Sequence, residues 1–196
     1  MCKKIKYSNL TDAELLGKLI GVEQAQEIYQ GSLAAIFTAT QNEPTGQGSL
    51  PEQCAVAREL VKRWLAEELR CGDMLNAPNV VRDYLRLQFA GKEVESFVAI
   101  FLDAQHQVIS VDELFTGTLT QTSVYPREVV KAALRSNAGA VIFAHNHPSG
   151  VAEPSQSDRM LTDALKQALA LVDVRVLDHF IVAGTSVLSF AERGLL

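Results

Sequence analysis

The spacing of apolar residues changes near Gly91, and this change constrains the fold more than any other feature of the sequence. Over residues 11–40 and 51–70, apolar residues recur every three or four positions, which is typical of helices that bury one face. After Gly91 they come in short runs rich in branched and aromatic side chains, which is typical of buried strands. We therefore expect an all-α unit over residues 1–72, followed by an α/β domain over residues 73–196.

The second part of the sequence alternates predicted strands with predicted helices. We expect strands at residues 95–102, 107–115, 139–144, 174–182 and 187–190. We expect helices at residues 80–89, 126–137 and 158–171. Interleaved elements of this kind predict a mixed sheet with flanking helices.

Composition and charge exclude several classes of protein. The net charge of -5 argues against a dominant phosphate-binding surface, and the basic residues Lys3, Lys4 and Lys6 are expected to form a solvated end. No window approaches the roughly 18 apolar residues of a membrane span, so we expect no membrane partner. Three cysteines without a C-x-x-C pair indicate neither a disulfide framework nor a cysteine zinc site, and they fit a reducing cytoplasm.

The sequence His145-Asn-His147-Pro-Ser-Gly150 directly follows the predicted strand at residues 139–144. Side chains at i and i+2 of an extended chain point to the same side, so both imidazoles can converge on one metal ion. Asp158 comes eleven residues after His147, at the predicted start of a helix, and can supply a third ligand. Three protein ligands that leave one position for water are typical of a catalytic zinc site.

Each of these residues also has a purely structural interpretation. Ser155-Gln-Ser-Asp158 alone has the pattern of a capping box at a helix start. The pair Asp178-His179 fits either a buried hydrogen-bonded pair or support for a zinc site, and the sequence does not decide between them. The joint spacing of the two histidines and Asp158 after a buried strand is what favours the metal site.

The same residues resemble a known family. His145-x-His147, seven residues, Ser155, two residues and Asp158 match the signature of the JAMM (MPN) metalloproteases. The longer match, with Pro126-Arg-Glu-Val and Leu177-Asp-His179, is similar to the bacterial RadC-like branch, and it covers roughly residues 73–196. The resemblance implies the cytidine deaminase-like α/β fold of JAMM/MPN domains.

The resemblance also implies a role for each residue of the motif. Zinc would be bound by His145, His147 and Asp158, while Glu95 would activate a water molecule and Ser155 would help to stabilise the oxyanion. The implied activity is hydrolysis of peptide or isopeptide bonds in a protein or peptide substrate. Glu93 is two residues before Glu95 and would face the same side of an extended strand. It follows Gly91-Lys92, however, and is expected to remain in a solvated loop.

The N-terminal part departs from the RadC-like pattern. These proteins often begin with a helix-hairpin-helix that contacts phosphates through a Gly-x-Gly turn, and residues 1–72 lack a turn of the G-I-G type. Gly46-Gln-Gly48 lies within a predicted loop, so the unit is at most a degenerate helix-hairpin-helix. DNA therefore remains only an alternative partner, linked to repair or recombination through the resemblance alone.

Two other functions compete with a metallopeptidase. Nucleobase deaminases also use zinc and a glutamate, but their H-x-E and P-C-x-x-C patterns are absent from this sequence. MPN folds also serve as interaction modules with little or no turnover. The intact set of ligands argues against a module without a metal, but it does not establish turnover.

Overall fold

The computed structural model describes residues 7, 10–38, 51–71, 78–117 and 124–196. The predicted loop with Gly46-Gln-Gly48 and the basic residues Lys3, Lys4 and Lys6 lie outside these ranges. Contacts divide the chain into two compact units, Met1–Val61 and Lys62–Leu196.

The smaller unit is helical, as predicted. It contains α1 (Asp12–Ile20), α2 (Val22–Ile28), α3 (Leu33–Thr38) and the beginning of α4 (Glu52–Cys71). A capping box begins α1, because Thr11 N donates to the Glu14 carboxylate at 2.8 Å and Glu14 N donates to Thr11 Oγ1 at 3.3 Å. Four of the described buried residues of this unit form one cluster: Leu16, Ala25, Ile36 and Cys54. In the part of the chain that the structure describes, no helix is long and apolar enough to cross a bilayer.

The boundary between the two units lies inside α4. The second half of this helix contributes Leu65 and Leu69 to the core of the larger unit, so these residues belong to it by packing. The domain boundary expected after residue 72 stays a prediction.

The larger unit is built on a five-stranded mixed sheet. Its strands are β1 (Ser96–Leu102), β2 (Val108–Thr116), β3 (Ala140–Asn146), β4 (Arg175–Ala183) and β5 (Ser186–Ser189). They lie in the order β2-β1-β3-β4-β5, with β3 and β4 parallel and the other neighbours antiparallel. The helices of this unit, beyond the end of α4, are α5 (Pro78–Phe89), α6 (Pro126–Arg135) and α7 (Gln156–Ala170).

Both faces of the sheet are buried, which explains the continuous apolar run in β1. Val98, Ile100 and Leu102 face a core shared with α5 and the end of α4. The intervening Phe97 and Phe101 face a second core shared with α6 and α7. The predicted α/β class, a mixed sheet with flanking helices after a helical N-terminal unit, is confirmed.

Candidate metal centre

The two histidines of the motif lie at the carboxyl end of β3. This strand continues through Asn146, so His145 lies inside it rather than just after it as predicted. His145 pairs with Phe97 of β1, and it therefore faces the core covered by α6 and α7. The side chain of His147 converges with that of His145, and their Nε2 atoms lie 3.0 Å apart.

A tight turn fixes the ring of His147. Gly150 N donates to the carbonyl of His147 at 3.1 Å, with Pro148 at the position that favours proline. Gly150 has a φ of 78°, which a glycine adopts without strain. The chain then brings the carbonyl of Val151 to 2.7 Å from His147 Nδ1. Because a carbonyl only accepts, Nδ1 carries a hydrogen, so a neutral His147 would present the lone pair of Nε2 to a metal.

Asp158 is both a capping residue and a neighbour of the two histidines. Its Oδ2 accepts hydrogen bonds from Ser155 N and Ser155 Oγ, each at 2.7 Å, while Asp158 N donates to Ser155 Oγ at 3.1 Å. Its Oδ1 lies 3.3 Å from His145 Nε2, and its Oδ2 lies 3.6 Å from His147 Nε2. The capping box and the ligand interpretation of Asp158 are therefore compatible, because both are satisfied by the same side chain.

The electrostatics of the cluster favour a charged carboxylate beside the histidines. Burial alone would raise the pKa of Asp158, but hydrogen bonds from the two histidines and from Ser155 outweigh burial and hold that pKa well below its ordinary range. The hydrogen bond to Asp158 raises the pKa of His147 above 6.5, although burial opposes this shift. Asp158 is thus held in the ionised form that binds metals.

Glu95 lies close enough to His147 for their charges to interact. The β1–β3 pairing ends at Phe97 and His145, two residues after Glu95 and two residues before His147. Glu95 is half-buried, and its negative charge contributes to the raised pKa of His147. Glu93 is exposed.

A third histidine, which the sequence left unassigned, contacts the cluster from inside the core. His179 is fully buried, and the parallel register of β3 and β4 places it beside Phe143. Its Nε2 lies 2.8 Å from His145 Nδ1, and its Nδ1 lies 2.7 Å from the hydroxyl of Thr162 on α7. Burial lowers the pKa of His179 well below 6.5, so the ring is neutral. A histidine inside a largely apolar strand was the sequence signal for this role.

Asp178 has a different role from its neighbour. Its Oδ1 accepts hydrogen bonds from the backbone of His179 at 2.7 Å and of Ala191 at 2.9 Å, while Oδ2 accepts from Ser189 Oγ at 2.5 Å. The Asp178 carboxylate in β4 therefore binds the last residue of β5 and the segment that follows it. Of the described hydrogen bonds made by these two side chains, the one between His179 and His145 reaches the candidate metal centre, and those of Asp178 do not.

A family model for the RadC-like JAB domain matches residues 75–195. The chain belongs to this family. A relative described as a UPF0758 protein, from Nitrosomonas eutropha, is 53% identical over 201 residues, which cover 95% of this chain and 90% of the relative. A UPF0758 protein from Chromobacterium violaceum is 51% identical over 203 residues, covering 96% of this chain and 91% of the relative. One from Thiobacillus denitrificans is 65% identical over 138 residues, covering 70% and 62%.

The donor atoms of this RadC-like JAB domain fit a metal ion. One ligand atom from each of His145, His147 and Asp158 lies within 4.8 Å of the other two. Donors bound about 2.05 Å from a tetrahedral zinc lie about 3.3 Å apart. The two imidazole Nε2 atoms lie 3.0 Å apart, and each lies near one oxygen of Asp158, at 3.3 Å from Oδ1 for His145 and 3.6 Å from Oδ2 for His147. Two neutral imidazoles and one carboxylate can therefore hold a metal ion here.

Proposed function

We propose that the protein is a zinc-dependent hydrolase that cleaves peptide or isopeptide bonds in a protein or peptide substrate. The observation that carries this proposal is the convergence of two imidazole Nε2 atoms and one carboxylate, with the charge of Glu95 near His147. A three-ligand set with an open fourth position is characteristic of catalytic zinc sites rather than of structural ones.

The residues divide the chemistry between them. When bound, zinc lowers the pKa of a water ligand to about 7 and polarises the carbonyl of the substrate. His145, His147 and Asp158 would hold the ion. Glu95 accepts the proton of the attacking water and donates it to the leaving amine, as a positioned acid-base group does.

Ser155 would have two roles in the proposed reaction, holding Asp158 and stabilising the oxyanion. Its single hydroxyl hydrogen is donated to Asp158 Oδ2, so in this structure Ser155 holds the carboxylate ligand. Stabilising an oxyanion requires that hydrogen, and the hydroxyl would have to rotate towards the substrate to provide it. Asp158 Oδ2 would then still accept from Ser155 N at 2.7 Å.

Metal analysis combined with a hydrolysis assay tests the proposal. We expect about one zinc per chain and cleavage of peptide or isopeptide substrates that stops on chelation and returns with zinc. His145→Ala and His147→Ala should empty the site. His106→Asn is the matched control, because His106 contacts Arg175 outside the cluster and Asn tolerates its φ of 62°.

Two results would contradict the proposal in different ways. Full zinc content in both alanine variants would show that the metal lies elsewhere. Stoichiometric zinc without cleavage of any peptide or isopeptide bond would favour an interaction module that keeps a metal without turnover.

A further inference from the structure

We propose that Thr162 and His179 are positioning residues that fix the tautomer of His145, so that the Nε2 lone pair of His145 faces the metal position. The inference deepens the proposed function, since it concerns the same metal centre. It follows from the direction of three consecutive hydrogen bonds through the core.

The first bond sets the direction of the others. Thr162 Oγ1 donates to the backbone carbonyl of Asp158 at 2.6 Å, and a carbonyl can only accept. The hydroxyl has one hydrogen, so in its 2.7 Å contact with His179 Nδ1 it must accept. The hydrogen on the ring of His179 therefore sits on Nδ1.

The hydrogen bond between His179 and His145 determines which ring nitrogen of His145 carries the hydrogen. His179 is fully buried, and its ring packs against Phe97 and Phe190 at centroid distances of 5.6 and 4.9 Å. A ring in these surroundings is uncharged, so Nε2 has no hydrogen and must accept from His145 Nδ1 at 2.8 Å. With its hydrogen on Nδ1, His145 leaves Nε2 free for a metal.

The result is a chain of hydrogen bonds that joins two of the three ligands. It runs from the backbone of Asp158 through Thr162 and His179 to His145, and its middle members are fully buried. His147 obtains the same tautomer from the Val151 carbonyl. If the hydroxyl of Thr162 were lost, the hydrogen of His179 could move to Nε2 and His145 would carry its own hydrogen on the atom that binds the metal.

Zinc affinity gives the first test. Thr162→Val removes the hydroxyl at nearly constant volume and should weaken zinc binding on the order of 10- to 100-fold in a chelator competition, the range typical of lost outer hydrogen bonds. Thr162→Ser restores the hydroxyl and should bind zinc nearly as wild type does. Leu169→Ala is the control, because it removes buried volume from α7 at a residue that takes part in none of the three hydrogen bonds. Equal affinity in Thr162→Val and wild type, or an equal loss in Leu169→Ala, would overturn the inference.

The ring hydrogens give a second test that does not depend on zinc or on turnover. Long-range proton-nitrogen spectra of the zinc-free protein, labelled with nitrogen-15 in histidine, should show hydrogen on Nδ1 of both His145 and His179 in wild type. In Thr162→Val the hydrogen should move to Nε2 of both rings. Hydrogen on Nε2 of wild-type His179 would refute the proposed direction of these hydrogen bonds. Failure of wild type to bind zinc would instead refute the proposed function and leave this measurement valid.

Discussion

Replacing Glu95 by Gln separates the proton transfer from the metal site. The change keeps the shape of the side chain and removes the basic oxygen. Glu95 precedes β1, and its charge acts on His147, but it is not one of the three convergent ligands. We therefore expect Glu95→Gln to retain zinc.

The expected loss is in turnover. A positioned acid-base group contributes at least about 100-fold to the rate, which corresponds to about 2.7 kcal/mol in the activation free energy. The zinc affinity should not fall. Glu95 is not among the three convergent donors, so its replacement leaves the ligand set intact.

The assay compares wild type, Glu95→Gln and Glu93→Gln on one substrate, with zinc content measured for each protein. Glu93→Gln is the matched control, because Glu93 has the same parity along the chain but is exposed. It should be nearly silent. Wild-type turnover in Glu95→Gln, or a larger loss in Glu93→Gln, would refute the assignment of the base and leave the metal ligands unaffected.

Two further predictions concern the larger unit. Burial raises the pKa of Asp178, so the folded protein binds a proton at this carboxylate more tightly than the unfolded chain does. Wild type should therefore gain stability relative to Asp178→Asn as pH falls from neutral towards 3.8. Denaturant unfolding at several pH values measures this, and it would show the opposite trend if that pKa were lowered. A protein that begins at Lys62 should fold and bind zinc, whereas one that begins at Asp73 lacks Leu65 and Leu69 of the core and should be less stable in thermal unfolding.

Most of the fold could be predicted from local patterns. The apolar run of β1 and the proline at the start of α6 predicted those elements to within one or two residues at their beginnings. The end of β3 was predicted too early, because two polar residues, His145 and Asn146, close a strand whose backbone continues to pair with β1 and β4. Spacing alone does not show that a polar side chain belongs to a buried strand.

The site could be predicted only where its residues are close in sequence. His145 and His147 are two residues apart, and the strand geometry alone brings them together. His179 is far along the chain, and its contact with His145 depends on the parallel pairing of β3 and β4, which periodicity does not specify. Thr162 occupies a helix position next to apolar residues, so nothing local distinguishes it from an ordinary buried threonine.

Hydrogen bonds within the protein hold two of the three proposed metal ligands. His179 contacts His145, and Ser155 donates to Asp158. The sheet around them is filled by its own apolar cores. If a zinc ion is bound here, the hydrogen bonds from His179 and Ser155 would fix the positions of two of its ligands. Fixed positions of this kind are the preorganisation that stabilises charge developing in a transition state.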